Sequence, residues 1–128
     1  MEKKPKLIIV EDDDLSQIIY ENIFSKDFEI TICSNDVKFY TSLNSAHYDI
    51  FLIDLGLGKG KNGVQLIEEL RQIEEYKSTP IIVVTAYTLR KDEQISMIAG
   101  ATKFLQKPID NKILLNEFKS HFPIFNAN

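Results

Sequence analysis

Five short apolar runs alternate with segments of helical period, and that alternation constrains the chain more than any other feature. The runs span Lys6–Glu11, Phe28–Ser34, Asp49–Asp54, Pro80–Thr85 and Thr102–Gln106, and they read as strands. Most are continuous rather than alternating, as strands covered on both faces should be. The second alternates Phe28, Ile30 and Ile32 with Glu29, Thr31 and Cys33, which predicts a sheet edge. Between the runs, Leu15, Ile18, Ile19 and Ile23 share the apolar face of a first helix. Val37, Tyr40 and Leu43 mark a second, and Leu66, Ile67, Leu70 and Ile73 a third. Ile95, Ile98 and Ala99 mark a fourth, and Ile113, Leu114 and Phe118 a fifth. Repeated strand–helix units with short connections imply right-handed crossovers and a parallel sheet. The expected fold is α/β: a flavodoxin-like, doubly wound five-stranded parallel sheet of order 2-1-3-4-5 with five helices. Its switch point lies between the first and third strands.

With 128 residues the chain is expected to form a single domain, 1–128, whose core needs no disulfide or metal staple. Hydrophobic residues make up 44% and charged residues 27%, the balance of an ordinary globular protein. A net charge of −4 gives no bulk attraction to a polyanion, so direct nucleic-acid binding is not expected. Cys33 lies within an apolar run and is expected to be a small buried hydrophobe in a reducing compartment. Too few apolar residues follow the basic start for a signal peptide, and no stretch is long enough to span a bilayer. The expectation is a cytoplasmic protein without membrane contact.

In an open parallel sheet the carboxyl ends of the strands form one edge, and ligands bind there. That edge would collect Glu11 and Asp12 from the first strand, Asp54 from the third, Thr85 from the fourth and Lys107 from the fifth. Carboxylates so gathered repel one another: a pair about 4 Å apart costs roughly 4 kcal/mol at an effective dielectric near 20. Lys107 offsets part of this, and a divalent cation offsets more. Mg²⁺ suits the set, because it keeps several waters and takes phosphate oxygens as further ligands. Asp54 is then a candidate nucleophile at phosphorus, since a carboxylate needs no general base to attack. Lys107 can neutralise charge on the transferring group, and Thr85 can donate a hydrogen bond to it.

Val10-Glu11-Asp12-Asp13, Ile53-Asp54-Leu55, Val84-Thr85-Ala86, Ala99-Gly100-Ala101-Thr102 and Lys107-Pro108 fall in a telling order and spacing. The pattern resembles the response-regulator receiver domains of bacterial two-component signalling, the family of the chemotaxis protein CheY. The likeness covers nearly the whole chain. Each piece alone is weak; all of them in register are specific. The resemblance implies that Asp54 is the phosphoacceptor, Thr85 the switch hydroxyl and Lys107 the phosphate-binding lysine. It implies a Mg²⁺ site of Asp12, Asp54 and the Gly56 carbonyl, with Glu11 acting mainly through water. Phe104 matches the switch aromatic, and Lys107-Pro108 the family's cis bond.

The function so implied is a phosphorylation switch that catalyses only its own phosphorylation and dephosphorylation. A sensor histidine kinase or histidine phosphotransfer protein would donate to Asp54. The new phosphate would bias an existing equilibrium and alter a protein-contact surface. In the family that surface corresponds to Leu89–Ala99, Lys103–Gln106 and Asp110–Ser120, which would meet a downstream protein. A phosphorylation-dependent homodimer is compatible with this scheme.

Some positions depart from the family pattern or carry blander readings. Gly58 stands where many members have proline, and the loop reaches the matching Gly63 one residue late. The extra glycines predict a mobile loop and a less preorganised Gly56 carbonyl. Ile109 replaces a common phenylalanine. Asp14-Leu15-Ser16-Gln17 has capping-box spacing, so Asp13 or Asp14 should cap the first helix. Lys59 and Lys61 read as solvated loop charges able to steer an anionic donor. Tyr87 is expected at the mouth of the site, and His47 and His121 stand outside every cluster.

Competing functions fit less well. A phosphatase of the haloacid-dehalogenase type carries a second acid two residues after its nucleophile, and here that position is Gly56. A receiver-like module without phosphorylation should lack an acid, the lysine or the hydroxyl, and all are present. A flavin or dinucleotide site needs glycines where this chain has Glu11-Asp12-Asp13-Asp14. No effector domain is expected after the fifth helix, which leaves both a stand-alone receiver and a fragment of a longer regulator open.

Overall fold

The computed structural model describes residues 3–58, 60–87 and 89–126. Strands β1 (Lys6–Val10), β2 (Glu29–Cys33), β3 (Ile50–Ile53), β4 (Ile81–Thr85) and β5 (Lys103–Gln106) alternate with five helices. These are α1 (Asp14–Phe24), α2 (Asp36–Leu43), α3 (Gly63–Gln72), α4 (Arg90–Ala99) and α5 (Asn111–Lys119). The strands form one parallel sheet of order β2-β1-β3-β4-β5, which is the expected topology. The alternating β2 is indeed an edge strand. Register places Val10 beside Ile53, Ile53 beside Val83, and Val83 beside Phe104. The residues that follow therefore leave the sheet at the same edge, which is how the fold gathers the side chains discussed below.

β3 and β4 are buried at every position, because helices cover both faces. On one face Phe39, Phe51, Leu66, Ile67, Leu70 and Tyr76 form a core beneath α2 and α3. On the other, Tyr20, Phe24, Phe28, Leu114 and Phe118 pack beneath α1 and α5. Each such side chain contributes about 1.5–3 kcal/mol through burial. Phe122 and Phe125 extend this second core, with ring centroids 5.9 and 5.5 Å from Phe28. Cys33 is a free, buried thiol, as expected. Among the described residues, no helix is long and apolar enough to cross a membrane.

Helix α3 buries the face that its sequence predicts, with Leu66, Ile67 and Leu70 inward. The other helices correct the reading. In α1, Leu15 and Ile18 are 65% and 59% exposed and Ile19 also faces out, while Tyr20 and Phe24 are buried. The rings win the inward position because they bury more apolar area and join Phe28 and Phe118 in one cluster of tilted and edge-to-face rings. The same inversion puts Phe39 inside α2 and leaves Val37 out. In α4 the small Ser96 is buried, its hydroxyl donating to the Asp92 carbonyl, whereas Ile95 and Ile98 face outward. In α5, Leu114 and Phe118 are buried as expected but Ile113 is exposed.

One side chain ties distant backbone together. Arg71, at the end of α3, donates to the carbonyls of Gly100, Tyr76 and Thr79 at 2.9, 2.7 and 2.8 Å. Gly100 ends α4 with φ of 124°, and a Cβ there would lie 2.6 Å from Arg71 Cγ. Only glycine satisfies both the left-handed backbone and that close approach.

Candidate active site

The ends of β1, β3 and β4, with the segment after β5, bring Glu11, Asp54, Thr85 and Lys107 into one hydrogen-bonded cluster. Asp54 Oδ1 accepts from the Thr85 hydroxyl at 2.8 Å and from the Gly56 amide at 3.0 Å. Lys107 Nζ donates to Glu11 Oε1 at 2.7 Å and reaches Asp54 Oδ2 at 3.4 Å. Thr85 Oγ1 also accepts from the Tyr87 amide at 3.3 Å, so the hydroxyl is oriented toward Asp54. Glu11, Thr85 and Asp54 are only 1%, 0% and 8% exposed. These are polar groups held largely out of water, and each has a partner.

Local backbone fixes these positions. The Lys107 amide donates to the Thr85 carbonyl at 2.8 Å, which anchors the base of the lysine beside the hydroxyl. The Lys107-Pro108 bond is cis, as the resemblance implied. At the start of α3, a Cβ on Gly63 would come within 2.4 Å of the Asp54 carbonyl oxygen, so no larger residue fits behind Asp54. Helix α1 is capped by Asp13, whose carboxylate accepts from the Ser16 amide at 2.9 Å. Gln17 does not complete a box with Asp14; its side chain donates to the Glu11 carbonyl instead. A capping box forms at Asn62 and Gln65, which open α3.

Burial and the contact between them shift Glu11 and Lys107. Burial pushes Glu11 up to about 7, with the Asp54 charge adding to the effect and Lys107 opposing it. At Lys107 burial favours the neutral amine, but the hydrogen bond to Glu11 and the neighbouring anions outweigh it. The ammonium is therefore held above the ordinary lysine range. Asp54 Oδ1 has two donors, while Oδ2 meets only Lys107 among the described residues.

Asp12 is exposed and turns to the β3–α3 loop, where Oδ2 accepts from the Gly58 amide at 2.8 Å. That loop is tied at a second point as well. The Lys61 amide donates to Asp36 Oδ2 at 3.2 Å, and Lys61 Nζ pairs with Glu69 Oε2 at 2.6 Å. The Tyr40 hydroxyl donates to the same carboxylate, and Lys61 lies 5.1 Å from the Tyr40 ring centroid. Lys61 is therefore paired as well as partly exposed, and the extra glycines do not leave the loop untethered. Lys59 lies outside the described residues. Tyr87 is half exposed at the mouth of the site, and a Cβ on Gly56 would stand 3.0 Å from its ring.

Sequence reasoning named Glu11, Asp12, Asp54, Gly56, Thr85 and Lys107, and the structure brings five of them within one hydrogen-bonded group. Asp12 stands beside it on the loop. Tyr20 was missed: it is buried in α1 with its ring 5.8 Å from Lys107 Nζ. Its signal was the i, i+4 pairing with Phe24, which the more obvious Leu15 and Ile18 stripe obscured. Among the described residues no three acidic, histidine or cysteine side chains close on one point as a ready metal cage. The donor set still fits a hard cation that keeps most of its waters, with the Glu11 and Asp54 carboxylates at adjacent strand ends and the Gly56 amide on Asp54.

Comparison with known proteins places the chain. The response regulator receiver domain family matches residues 7–119. The probable transcriptional regulator ycf29 of Porphyra purpurea is 29% identical over 115 residues, covering 89% of this chain and 54% of that protein. CpxR, a transcriptional regulatory protein of Klebsiella pneumoniae, is 27% identical over 90% of this chain and 48% of its own length. The chain thus spans about half the length of these curated relatives. The polar-differentiation response regulator DivK of Brucella ovis is 24% identical, over 90% of this chain and 94% of its own. Among solved structures, chemotaxis protein CheY4 of Vibrio cholerae superposes with a TM-score of 0.86 at 21% identity, covering 94% of this chain and all (100%) of that one. The receiver domain of sensor histidine kinase PA1611 from Pseudomonas aeruginosa, with a magnesium ion in its active site cleft, gives 0.82 at 24% identity over 92% and 97%. These two structures share the fold. The matched segment runs from within β1 to the end of α5 and contains every residue of the cluster, and the chain belongs to the response regulator receiver domain family.

Proposed function

We propose that this protein is a phosphoacceptor switch in which Asp54 takes a phosphoryl group from a phosphohistidine. The donor would be a sensor histidine kinase or a histidine phosphotransfer protein. The observation that carries the reading is the environment of Asp54: one carboxylate oxygen is oriented by Thr85 and Gly56, and the other faces an ammonium. Asp54 Oδ2 would attack phosphorus as the P–N bond breaks, and the leaving imidazole nitrogen would retain the bonding pair and take up a proton. Lys107 would shift from the carboxylates to the incoming phosphoryl oxygens, and Thr85 would turn its hydroxyl toward them. Charge-assisted hydrogen bonds of this kind contribute about 1.5–3 kcal/mol each, enough to move a two-state equilibrium roughly ten- to hundredfold.

Asp12, Asp54 and the Gly56 carbonyl would hold Mg²⁺, with Glu11 acting through water. When bound, the ion neutralises charge on the transferring group. The single domain of residues 1–128 would act in the cytoplasm, turning over no external substrate. Its output would pass through α4, β5 and α5 to a protein partner, or to a second copy. Outward Ile95, Ile98 and Ile113 supply apolar surface there.

The test is labelling with acetyl phosphate and Mg²⁺, read as the mass gain of one phosphoryl group. The parent chain is expected to gain it and Asp54→Asn to gain none. Equal labelling of the variant would remove Asp54 from the reaction.

A further inference from the structure

We propose that Tyr20 is a positioning residue for Lys107: its buried ring is the fixed floor beneath the ammonium while that ammonium exchanges one anionic partner for another. This deepens the preceding reading and rests on it. Lys107 Nζ lies 5.8 Å from the Tyr20 ring centroid, within the range where a ring face attracts a cation. The two residues share a groove of about 440 Å³ that also meets Ile19, Ala86 and Pro108.

The ring is held from behind. Tyr20 is 4% exposed, and its centroid lies 6.2 Å from that of Phe24, which in turn packs on Phe28 and Phe118. This cluster of tilted and edge-to-face rings lies in the core, so Tyr20 cannot follow Lys107 when the lysine moves. Burial pushes the phenol up to about 12, with Lys107 opposing the shift, so the ring stays neutral at physiological pH. A neutral ring attracts the ammonium without competing as an anion.

The other contacts of the ammonium are exchangeable. In this structure it bridges Glu11 and Asp54. In the acyl phosphate it must leave at least one of them for phosphoryl oxygen. A flexible side chain released from a carboxylate would otherwise sample solvent. The ring contact does not depend on which anion lies above, so it keeps the ammonium over the site through the exchange.

The experiment measures the rate of Asp54 labelling by acetyl phosphate with Mg²⁺ for the parent, Tyr20→Phe and Tyr20→Leu. Each is made with Lys107 intact and in a Lys107→Ala background. With the lysine present, Tyr20→Leu is expected to slow labelling about tenfold, or about 1.4 kcal/mol, within the range of a partly desolvated cation–ring contact. Tyr20→Phe keeps the ring and is expected to stay within about threefold of the parent. Without the lysine, Tyr20→Leu is expected to change the rate less than about twofold. An equal loss in both backgrounds would reduce Tyr20 to a packing residue and overturn the proposal, as would no loss with the lysine present.

Should Tyr20→Leu fail to fold, pentafluorophenylalanine at position 20 keeps the ring's shape and reverses its electrostatics. It is expected to slow labelling like Tyr20→Leu, and a rate equal to that of Tyr20→Phe overturns the proposal. A parent chain that takes no label overturns the phosphoacceptor reading and this inference together. A labelled parent with unaffected variants overturns this inference alone.

Discussion

The two edges of the sheet gather acidic and basic side chains in opposite settings. At the carboxyl edge Glu11, Asp54 and Lys107 form a cluster largely sealed from water. At the amino edge His47 lies between Asp49 and Glu75 and stacks on Tyr76 at 5.5 Å between centroids. The side chains of that second cluster are half exposed, and Asp49 also accepts from the Lys6 amide at 2.8 Å. Acid and base chemistry alone does not separate the two groups. Desolvation does, because a charge held out of water interacts strongly with its neighbours while an exposed one is screened. At the carboxyl edge the Gly56 and Tyr87 amides lie on Asp54 and Thr85, and the Gly58 amide joins the segment after β3 to Asp12.

The contrast can be broken most decisively at Lys107. Lys107→Met leaves two neighbouring carboxylates without their cation and is expected to lower unfolding stability by about 3 kcal/mol near pH 8. The loss should shrink near pH 5, where Glu11 takes up a proton. Urea unfolding at the two pH values reads the difference. A variant as stable as its parent at the higher pH would mean the carboxyl edge is no more desolvated than the amino edge.

Glu11 sharpens the comparison with a sign. Its carboxyl titrates near the ordinary 4.5 in the unfolded chain and near about 7 in the folded one. Between those values the folded chain holds the extra proton, so stability falls as pH rises through the window and levels off above it. The full drop approaches about 3 kcal/mol at roughly 1.4 kcal/mol per unit. Unfolding free energies in buffers free of divalent cations should show this slope for the parent, and a curve lacking it for Glu11→Gln. A parental slope retained by the glutamine variant would assign the proton to another group.

The smallest effect belongs to the amino edge. Glu75→Gln removes one partner of His47 and is expected to change stability by less than about 1 kcal/mol, an effect that fades at high salt. Thermal unfolding at low and high ionic strength would detect a larger, salt-insensitive change, and that result would place the amino-edge cluster alongside the buried one.

Much of this organisation was legible in the amino-acid order, for reasons that differ by element. The strands were readable because β3 and β4 are uninterrupted apolar runs, which a doubly covered parallel sheet demands. Once they are aligned, Glu11, Asp54, Thr85 and Lys107 must meet, because register and crossover handedness leave those side chains no other edge. Helix orientation was less legible. In α1 and α2 an aromatic side chain competes with an aliphatic stripe, and ring area rather than residue count decides which face turns inward. In α4 the deciding residue is the small Ser96, which no hydrophobic pattern can mark. Loop anchoring was not legible at all, since Asp36 and Glu69 meet Lys61 only after α2 and α3 have packed. The cap at Asp13 rather than Asp14 shows the same limit at the scale of one residue.

Arg71 has a consequence for how the molecule would come apart. Its guanidinium is the shared partner of three carbonyl oxygens from two separate stretches of chain, residues 76–79 and residue 100. Withdrawing it would orphan all three acceptors in a single event, so the approach to β4 and the corner after α4 cannot fray independently. Residues 76, 79 and 100 form one cooperative latch, and the breathing of that side of the domain is governed by the end of α3.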